Sequence, residues 1–356
     1  MTLILSNEDI APLLDMPELI ATLESTYLEL SQGKGVTRNR SDCITPTKNQ
    51  DRLYGLKSMD GIVPSLGVGA VRIRSDMLSW PTKEGRQRRE KVPSAQKGRW
   101  VGLILLFDSE TGDPLAICPD GVIQRMRVGA TSALGAKHLA KRDASTVALI
   151  GSGWQAGAQL MGISAVRHVE TVRCFSPNAE HRTAFSQEMS PQLGIDVTPV
   201  ASPEEAIKGA DIVLCATSAI DAVFEEEWLE PGMHVGSIRL PEISIGTLKR
   251  ADKVFLHARD AVPVHIVADG VVVPEKEEGR GWALASDIDL ESMPTLIDII
   301  GGKAEGRDSD DQAICFINSQ GLGYQFAVAG AIAYRKAVEN NIGNKLPTEW
   351  FTEDVR

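Results

Sequence analysis

The sequence predicts an α/β fold in which a doubly wound parallel sheet is inserted into a second, α+β domain. Three observations carry this. From residue 146 onward, short apolar runs alternate with helical stretches, the order of a parallel sheet with helices on its faces. The first of those runs ends in Gly151-Ser152-Gly153-Trp154-Gln155-Ala156, a glycine turn between a strand and a helix. The chain has 356 residues, 43% of them hydrophobic, whereas single cores usually stop growing near about 250 residues, so two domains are expected.

Taken in order, residues 8–30 place Ile10, Leu13, Leu14, Leu19, Ile20, Leu23, Tyr27 and Leu30 at helical spacing, interrupted by Pro17. Two amphipathic helices are expected there. From 36 to 118 the apolar runs shorten, as at 68–73 and 101–107, with Gly, Pro and Asp turns between them, which predicts an antiparallel sheet. Residues 80–99 are rich in charge and lack apolar periodicity, so they read as a surface loop or flap. A helix rich in small residues is predicted over 122–141, followed by strands at 147–150, 171–175, 211–216, 234–237 and 253–257. A last helix, 323–339, is rich in Ala and Gly and suited to close packing. The expected division is residues 1–126 with 320–356 as one domain and 127–319 as the inserted one.

The bulk composition excludes several functions. A net charge of -11 argues against a nucleic-acid partner, whose phosphates need a basic surface. No apolar run reaches the roughly 18 residues that span a bilayer, and the first residues carry acids rather than lysines. A cytoplasmic protein without a membrane partner is expected. The five cysteines are widely spaced, with no C-x-x-C pair, so neither a disulfide framework nor a metal site is expected.

The glycine turn is the motif that carries chemistry. Gly151 permits the tight turn, Gly153 lets backbone N–H groups approach a pyrophosphate, and Ala156 lets helix pack closely on strand; with Ser152, Trp154 and Gln155 these are the cofactor candidates of a Rossmann domain. After the second strand, NAD enzymes usually place a carboxylate on the ribose hydroxyls. Here Ser176, Asn178 and Arg182 occupy that stretch. A 2'-phosphate suits an arginine and not a carboxylate, so NADP(H) is favoured and NAD(H) is possible. Ala216, Thr217 and Ser218 follow the fourth strand, where a loop lines the cofactor crevice.

Four segments together resemble the ornithine cyclodeaminase and mu-crystallin family: Arg127-Val-Gly-Ala-Thr-Ser-Ala-Leu-Gly-Ala-Lys-His-Leu-Ala140, the turn Gly151 to Ala156, Ala210-Asp-Ile-Val-Leu-Cys-Ala-Thr-Ser218, and Glu227-Trp-Leu-Glu-Pro-Gly232. The resemblance spans residues 35 to 340 or so. It implies hydride transfer between a nicotinamide and an amino- or imino-acid carbon. It also implies a first domain, closed by the last helix, that dimerises and grips the substrate carboxylate. By register it assigns the family's arginines to Arg127, which opens the helix before the first Rossmann strand, and to Arg40. The family's substrate lysine falls on Arg72, with Lys57 a competitor. An arginine at that position holds a carboxylate bidentately but serves neither as acid nor as base.

Two departures from the family bear on the reaction. The cyclodeaminase Asp after the fifth strand is absent from His234-Val-Gly-Ser-Ile-Arg-Leu-Pro-Glu242, where only Glu242 keeps register. The Ser-Leu-Gly near the nicotinamide appears as Asn318-Ser319-Gln320-Gly321-Leu-Gly323, with Gln325 replacing an acidic residue. Ser237, Ser319 and Gly321 are the remaining cofactor candidates.

Reduction of an imine needs a held nicotinamide, cations for the carboxylate and a proton for nitrogen. Arg40, Arg72 and Arg127 are the cations, and Lys57, Asp60 and His234 the candidate donors. The expected function is NAD(P)H-dependent reduction of a small imino or 2-oxo acid by a homodimer. The alternatives are a redox-neutral deaminase of the ornithine cyclodeaminase type and a non-catalytic NADPH-binding protein.

Overall fold

The apolar runs beyond residue 146 lie side by side in one sheet. Its parallel strands run Val197–Pro199, Thr171–Phe175, Thr146–Ile150, Ile212–Cys215, His234–Ser237, Ile314–Ile317 and Lys253–Leu256 across the sheet. Among the described residues the chain order is therefore 3-2-1-4-5-7-6, and the strand order reverses between Thr146–Ile150 and Ile212–Cys215. That switch point is where open α/β sheets bind ligands. The central strands are buried on both faces and read as unbroken apolar runs, as a sheet covered by helices requires. Two strands, Val197–Pro199 and Ile314–Ile317, go beyond those predicted. The structure, a computed structural model, describes residues 1–79, 82–83, 86–87, 90–93, 98–219, 221–259, 263–271, 288–319 and 321–354.

The second sheet is mixed rather than antiparallel. Among the described residues it has ten strands, with Ser41–Pro46, Leu53–Val63, Val68–Ser79, Val101–Asp108 and Pro114–Pro119 antiparallel in sequence order. Thr2–Ile4 joins Pro114–Pro119 in parallel, and Val264–Val267 joins Ser41–Pro46 in parallel. The latter strand lies inside residues 127–319 yet completes the other sheet. Part of the predicted 80–99 loop is paired: Glu90–Val92 lies against the end of Val68–Ser79, and Thr82–Lys83 against Arg86–Gln87. Residues 80–81, 84–85, 88–89 and 94–97 of that loop are outside the described residues.

Pro17 opens a helix instead of breaking one. It sits in the first turn of Met16–Ser31, capped by Asp15, where its missing N–H removes no hydrogen bond. The helix Gly121–Leu139 joins the two sheets and runs through residue 126, so Arg127 lies inside it, in its second turn, and does not open it. Its glycines allow backbone contact with the helix Trp154–Val166. A Cβ on Gly129 would lie 2.3 Å from the Ala158 carbonyl oxygen, and one on Gly162 would lie 2.5 Å from that of Gly129. The helix Gly323–Glu339 packs on Leu53–Val63 and Val68–Ser79, where a Cβ on Gly61 would lie 2.3 Å from the Tyr324 nitrogen. Among the described residues no helix is long and apolar enough to cross a membrane.

Candidate active site

Register divides the chemistry of the mixed sheet between its faces. Arg72, Arg74 and Asp76 alternate along one strand, and Lys57 and Met59 sit opposite Arg74 and Arg72 on the next, so these side chains share a face. Asp42 stands opposite Lys57 on the strand beyond. The helix Gly323–Glu339 covers this face and brings in Phe326.

Two buried arginines meet on that ring: the Cζ atoms of Arg72 and Arg127 each lie 5.1 Å from the Phe326 centroid. Their partners differ. Arg72 donates from Nε (2.9 Å) and Nη2 (2.6 Å) to Asp120 Oδ2, a buried ion pair. Asp120 stands at the start of Gly121–Leu139 without capping it, and it lies over Gly102, whose missing side chain leaves the room. Arg127 donates instead to neutral amides, Gln325 Oε1 at 3.0 Å and Gln124 Oε1 at 2.8 Å. Burial, then the neighbouring Arg72, pushes the Arg127 guanidinium down to about 9. A buried cation without an ionised partner is costly, and an anionic ligand relieves that cost. Gln325 Nε2 donates to Thr131, whose hydroxyl lies 3.5 Å from that of Tyr27, which is bonded in turn to His257 (2.8 Å), so the orientation of Arg127 is set by a buried chain. Gly321 also faces Arg127: a Cβ there would lie 2.6 Å from Nη1.

The other predicted substrate residues lie nearby with charge partners of their own. Lys57 Nζ is 3.1 Å from Asp76 Oδ2, and Arg74 Nε is 3.2 Å from Asp76 Oδ1. Arg40 makes a two-point pair with Asp42, at 2.8 and 2.9 Å, so its charge is already matched. Asp60 pairs with Arg38 at the surface. His234 is buried at the start of its strand, opposite the crevice end, and burial holds its imidazole down at about 3. It has no acid role at neutral pH. Asp120, Gln124, Asp76 and Phe326 are site residues that pattern reading missed; an Asp-Gly at a helix start reads as a cap, and only the fold turns it toward Arg72.

At the switch point of the Rossmann sheet, Gly151 has φ +118 and a Cβ there would lie 2.4 Å from the Ala216 carbonyl oxygen and 3.4 Å from Thr217 Cγ2. Only glycine suits that conformation. Gly153 is the N-cap of Trp154–Val166, no side chain caps that helix, and nothing lies within 4 Å of where its Cβ would be. Uncapped N–H groups beside an open cradle fit a pyrophosphate. Ser152 Oγ donates to Ser176 Oγ at 2.8 Å, bridging the turn to the end of the second strand. Arg182 donates to the Ser176 carbonyl at 2.9 Å and its Cζ lies 5.9 Å from the Phe175 ring centroid, which sets it beside that end. Asn178 spends its Oδ1 as cap of Ala179–Leu193. Ser237 Oγ and Gln155 Oε1 are buried atoms with no partner among the described residues. Asn318 Nδ2, next to Ser319, ties the loop after the Ile314–Ile317 strand to the Val128 carbonyl and Ser132. These features fit a dinucleotide.

Fold and site define a nicotinamide-dependent oxidoreductase that acts on CH–NH2 or C=N carbon. The chain belongs to the ornithine cyclodeaminase/mu-crystallin family, whose model matches residues 83–341. It is 30% identical over 349 residues to a Delta(1)-pyrroline-2-carboxylate reductase of Bacillus cereus, covering 97% of this chain and 99% of that one. The Delta(1)-pyrroline-2-carboxylate reductase of Thermococcus litoralis, solved in complex with NADH and L-proline, is 29% identical and superposes with a TM-score of 0.77 over 97% of this chain and 100% of that one. A probable ornithine cyclodeaminase from Bordetella pertussis Tohama I shares the fold at 21% identity and a TM-score of 0.74, over 97% of this chain and 100% of that one.

Proposed function

We propose that this enzyme reduces a small cyclic 2-imino acid of the pyrroline-2-carboxylate class to the corresponding amino acid, with NADPH preferred over NADH. The observation that carries the reading is the pair of buried guanidinium groups on Phe326, of which Arg127 has only neutral partners among the described residues. Arg127 takes the substrate carboxylate, and Arg72, oriented by Asp120, supplies the second donor fork. The nicotinamide supplies the hydride when bound. Lys57, held by Asp76, gives the proton to nitrogen, so that C=N plus hydride plus proton becomes CH–NH. The relatives that act on pyrroline-2-carboxylate support the substrate class. Glu242, the carboxylate in register with the cyclodeaminase Asp, is buried among backbone donors, which disfavours the redox-neutral deaminase.

NADPH preference rests on Ser176 and Arg182 at the end of the second strand, with no carboxylate to repel a 2'-phosphate. Homodimerisation rests on the outer face of the mixed sheet, where Val264, Ile266, Leu56, Ile62 and Leu103 are exposed on one side of five neighbouring strands. An apolar patch of this extent suits a second copy of itself. Four buried thiols, none in a disulfide among the described residues, suit the reducing cytoplasm.

The test is loss of 340 nm absorbance with pyrroline-2-carboxylate under NADPH and NADH, alongside ornithine with catalytic NAD. Expected are stoichiometric reduction to proline, a higher kcat/KM with NADPH that Arg182→Ala abolishes, and no proline from ornithine. Steady proline formation from ornithine with catalytic cofactor would overturn the reading.

A further inference from the structure

Glu242 is a buried carboxylate that the reduction itself does not use, and its surroundings are organised around the cofactor crevice. Its Oε1 accepts from the Thr217 backbone N–H (2.6 Å) and from the Thr217 hydroxyl (2.8 Å). Its Oε2 accepts from the backbone N–H groups of Ile238 and Arg239, each at 3.0 Å. Its own carbonyl accepts from Val223 and Phe224 N–H, at 2.9 and 3.0 Å. The Thr217 hydroxyl accepts in turn from Ala219 N–H (3.1 Å), and Arg239 Nη1 donates to the Ala219 carbonyl (3.0 Å). One side chain thus ties the loop after the fourth Rossmann strand to the loop after the fifth.

Those loops stand at the carboxyl ends of Ile212–Cys215 and His234–Ser237, the first of them at the switch point. Thr217 also lies beside the phosphate turn: a Cβ on Gly151 would be 3.4 Å from its Cγ2 and 2.4 Å from the Ala216 carbonyl oxygen. A shift of Thr217 therefore disturbs the turn as well as the loop.

We propose that Glu242 is a positioning residue for cofactor binding, its carboxylate holding the Thr217 and Ile238–Arg239 loops in the geometry that receives the dinucleotide. This inference rests on the cofactor reading above. The chemistry of the donors makes the carboxylate specific. All four groups facing it donate, so two acceptor oxygens are required. In Glu242→Gln, an NH2 turned toward Ile238 and Arg239 meets two backbone donors, and one turned toward Thr217 meets its backbone N–H even when the hydroxyl rotates to accept, so either orientation sets opposed dipoles in a buried site.

The experiment measures cofactor Kd, by NADPH titration of the full-length enzyme, for Glu242→Gln, Thr217→Val and the double variant, together with KM for the imino acid at saturating cofactor. Glu242→Gln is expected to raise cofactor Kd at least tenfold while KM for the imino acid moves less than twofold. Thr217→Val, which removes one of the four donors at constant shape, is expected to raise cofactor Kd two- to fivefold. The double variant is expected to fall short of the product of the two, because both break the same contact. A folded Glu242→Gln protein that binds cofactor as tightly as the unaltered enzyme would overturn the inference. Should Glu242→Gln not fold, an unchanged Kd in Thr217→Val overturns it equally. Absence of cofactor binding in the unaltered enzyme removes the proposed function and this inference together, whereas equal cofactor affinity in all variants removes this inference alone.

Discussion

Arg72 and Arg127 share one aromatic ring but not one role, and their partners decide which is which. Arg72 forms an ion pair with Asp120, both buried, so removing the arginine strands a carboxylate. Breaking a buried pair from one side costs on the order of 3–5 kcal/mol. Arg72→Ala is therefore expected to lower the melting temperature by several degrees, and calorimetry checks this. Arg127 bonds to the carbonyl oxygens of two amides, which leave its charge uncancelled. Gln325→Glu sets a carboxylate in place of the Oε1 that lies 3.0 Å from Nη1. That carboxylate competes with the substrate for the same cation. KM for the imino acid is expected to rise roughly tenfold or more, in line with the roughly 1.5–3 kcal/mol of a charged hydrogen bond, while cofactor Kd stays within twofold. A KM unchanged in Gln325→Glu would move the carboxylate site away from Arg127.

At the scale of elements, legibility followed local rules. The cofactor turn was readable because strand, glycines and helix are contiguous: Gly151 answers to the close approach of Ala216, while Gly153 leaves an open cradle at the helix start. The strand Leu53–Val63 was not readable. Gly55, Lys57 and Gly61 interrupt its apolar alternation because that face serves the site and the approach of Tyr324 instead of a plain core. Asp120 and Phe326 were hidden for a different reason: their contacts with Arg72 span long sequence separations that no periodicity encodes. The opposite face of the same sheet carries its own consequence. Leu56 and Leu103 are both exposed there, on strands flanking Val68–Ser79. Leu56→Lys with Leu103→Lys puts charges into a face proposed to meet its copy, and sedimentation is expected to show a dimer become a monomer with its secondary structure retained. A double variant that still sediments as the dimer would place the interface elsewhere.

For the whole molecule, the dependence of stability on pH between 4.5 and about 7 turns on two buried groups of opposite sign, His234 at the start of the strand His234–Ser237 and Glu242 in the turn beyond its end. His234 is held down at about 3 by burial, from an ordinary value of 6.5. The unfolded chain takes up its proton first, so the contribution of His234 is complete above 6.5 and is lost as pH falls. Glu242 is pushed up to about 7 by burial against the pull of its donors, from 4.5. Its contribution is complete below 4.5 and is lost as pH rises through about 7. Between 4.5 and 6.5 the two slopes, each about 1.4 kcal/mol per pH unit, oppose one another. The melting temperature is expected to be nearly flat across that window. It then falls below it, as His234 acts alone and Glu24 and Asp211, both held below the ordinary carboxylate range, take up protons. His234→Asn removes one slope and leaves the other. Its melting temperature is expected to climb as pH is lowered from 6.5 to 4.5, where that of the unaltered protein stays level, and a scanning-fluorimetry series at half-unit steps reads the difference directly. Parallel curves for the two proteins would mean that His234 is charged in the fold, or that its ring meets solvent.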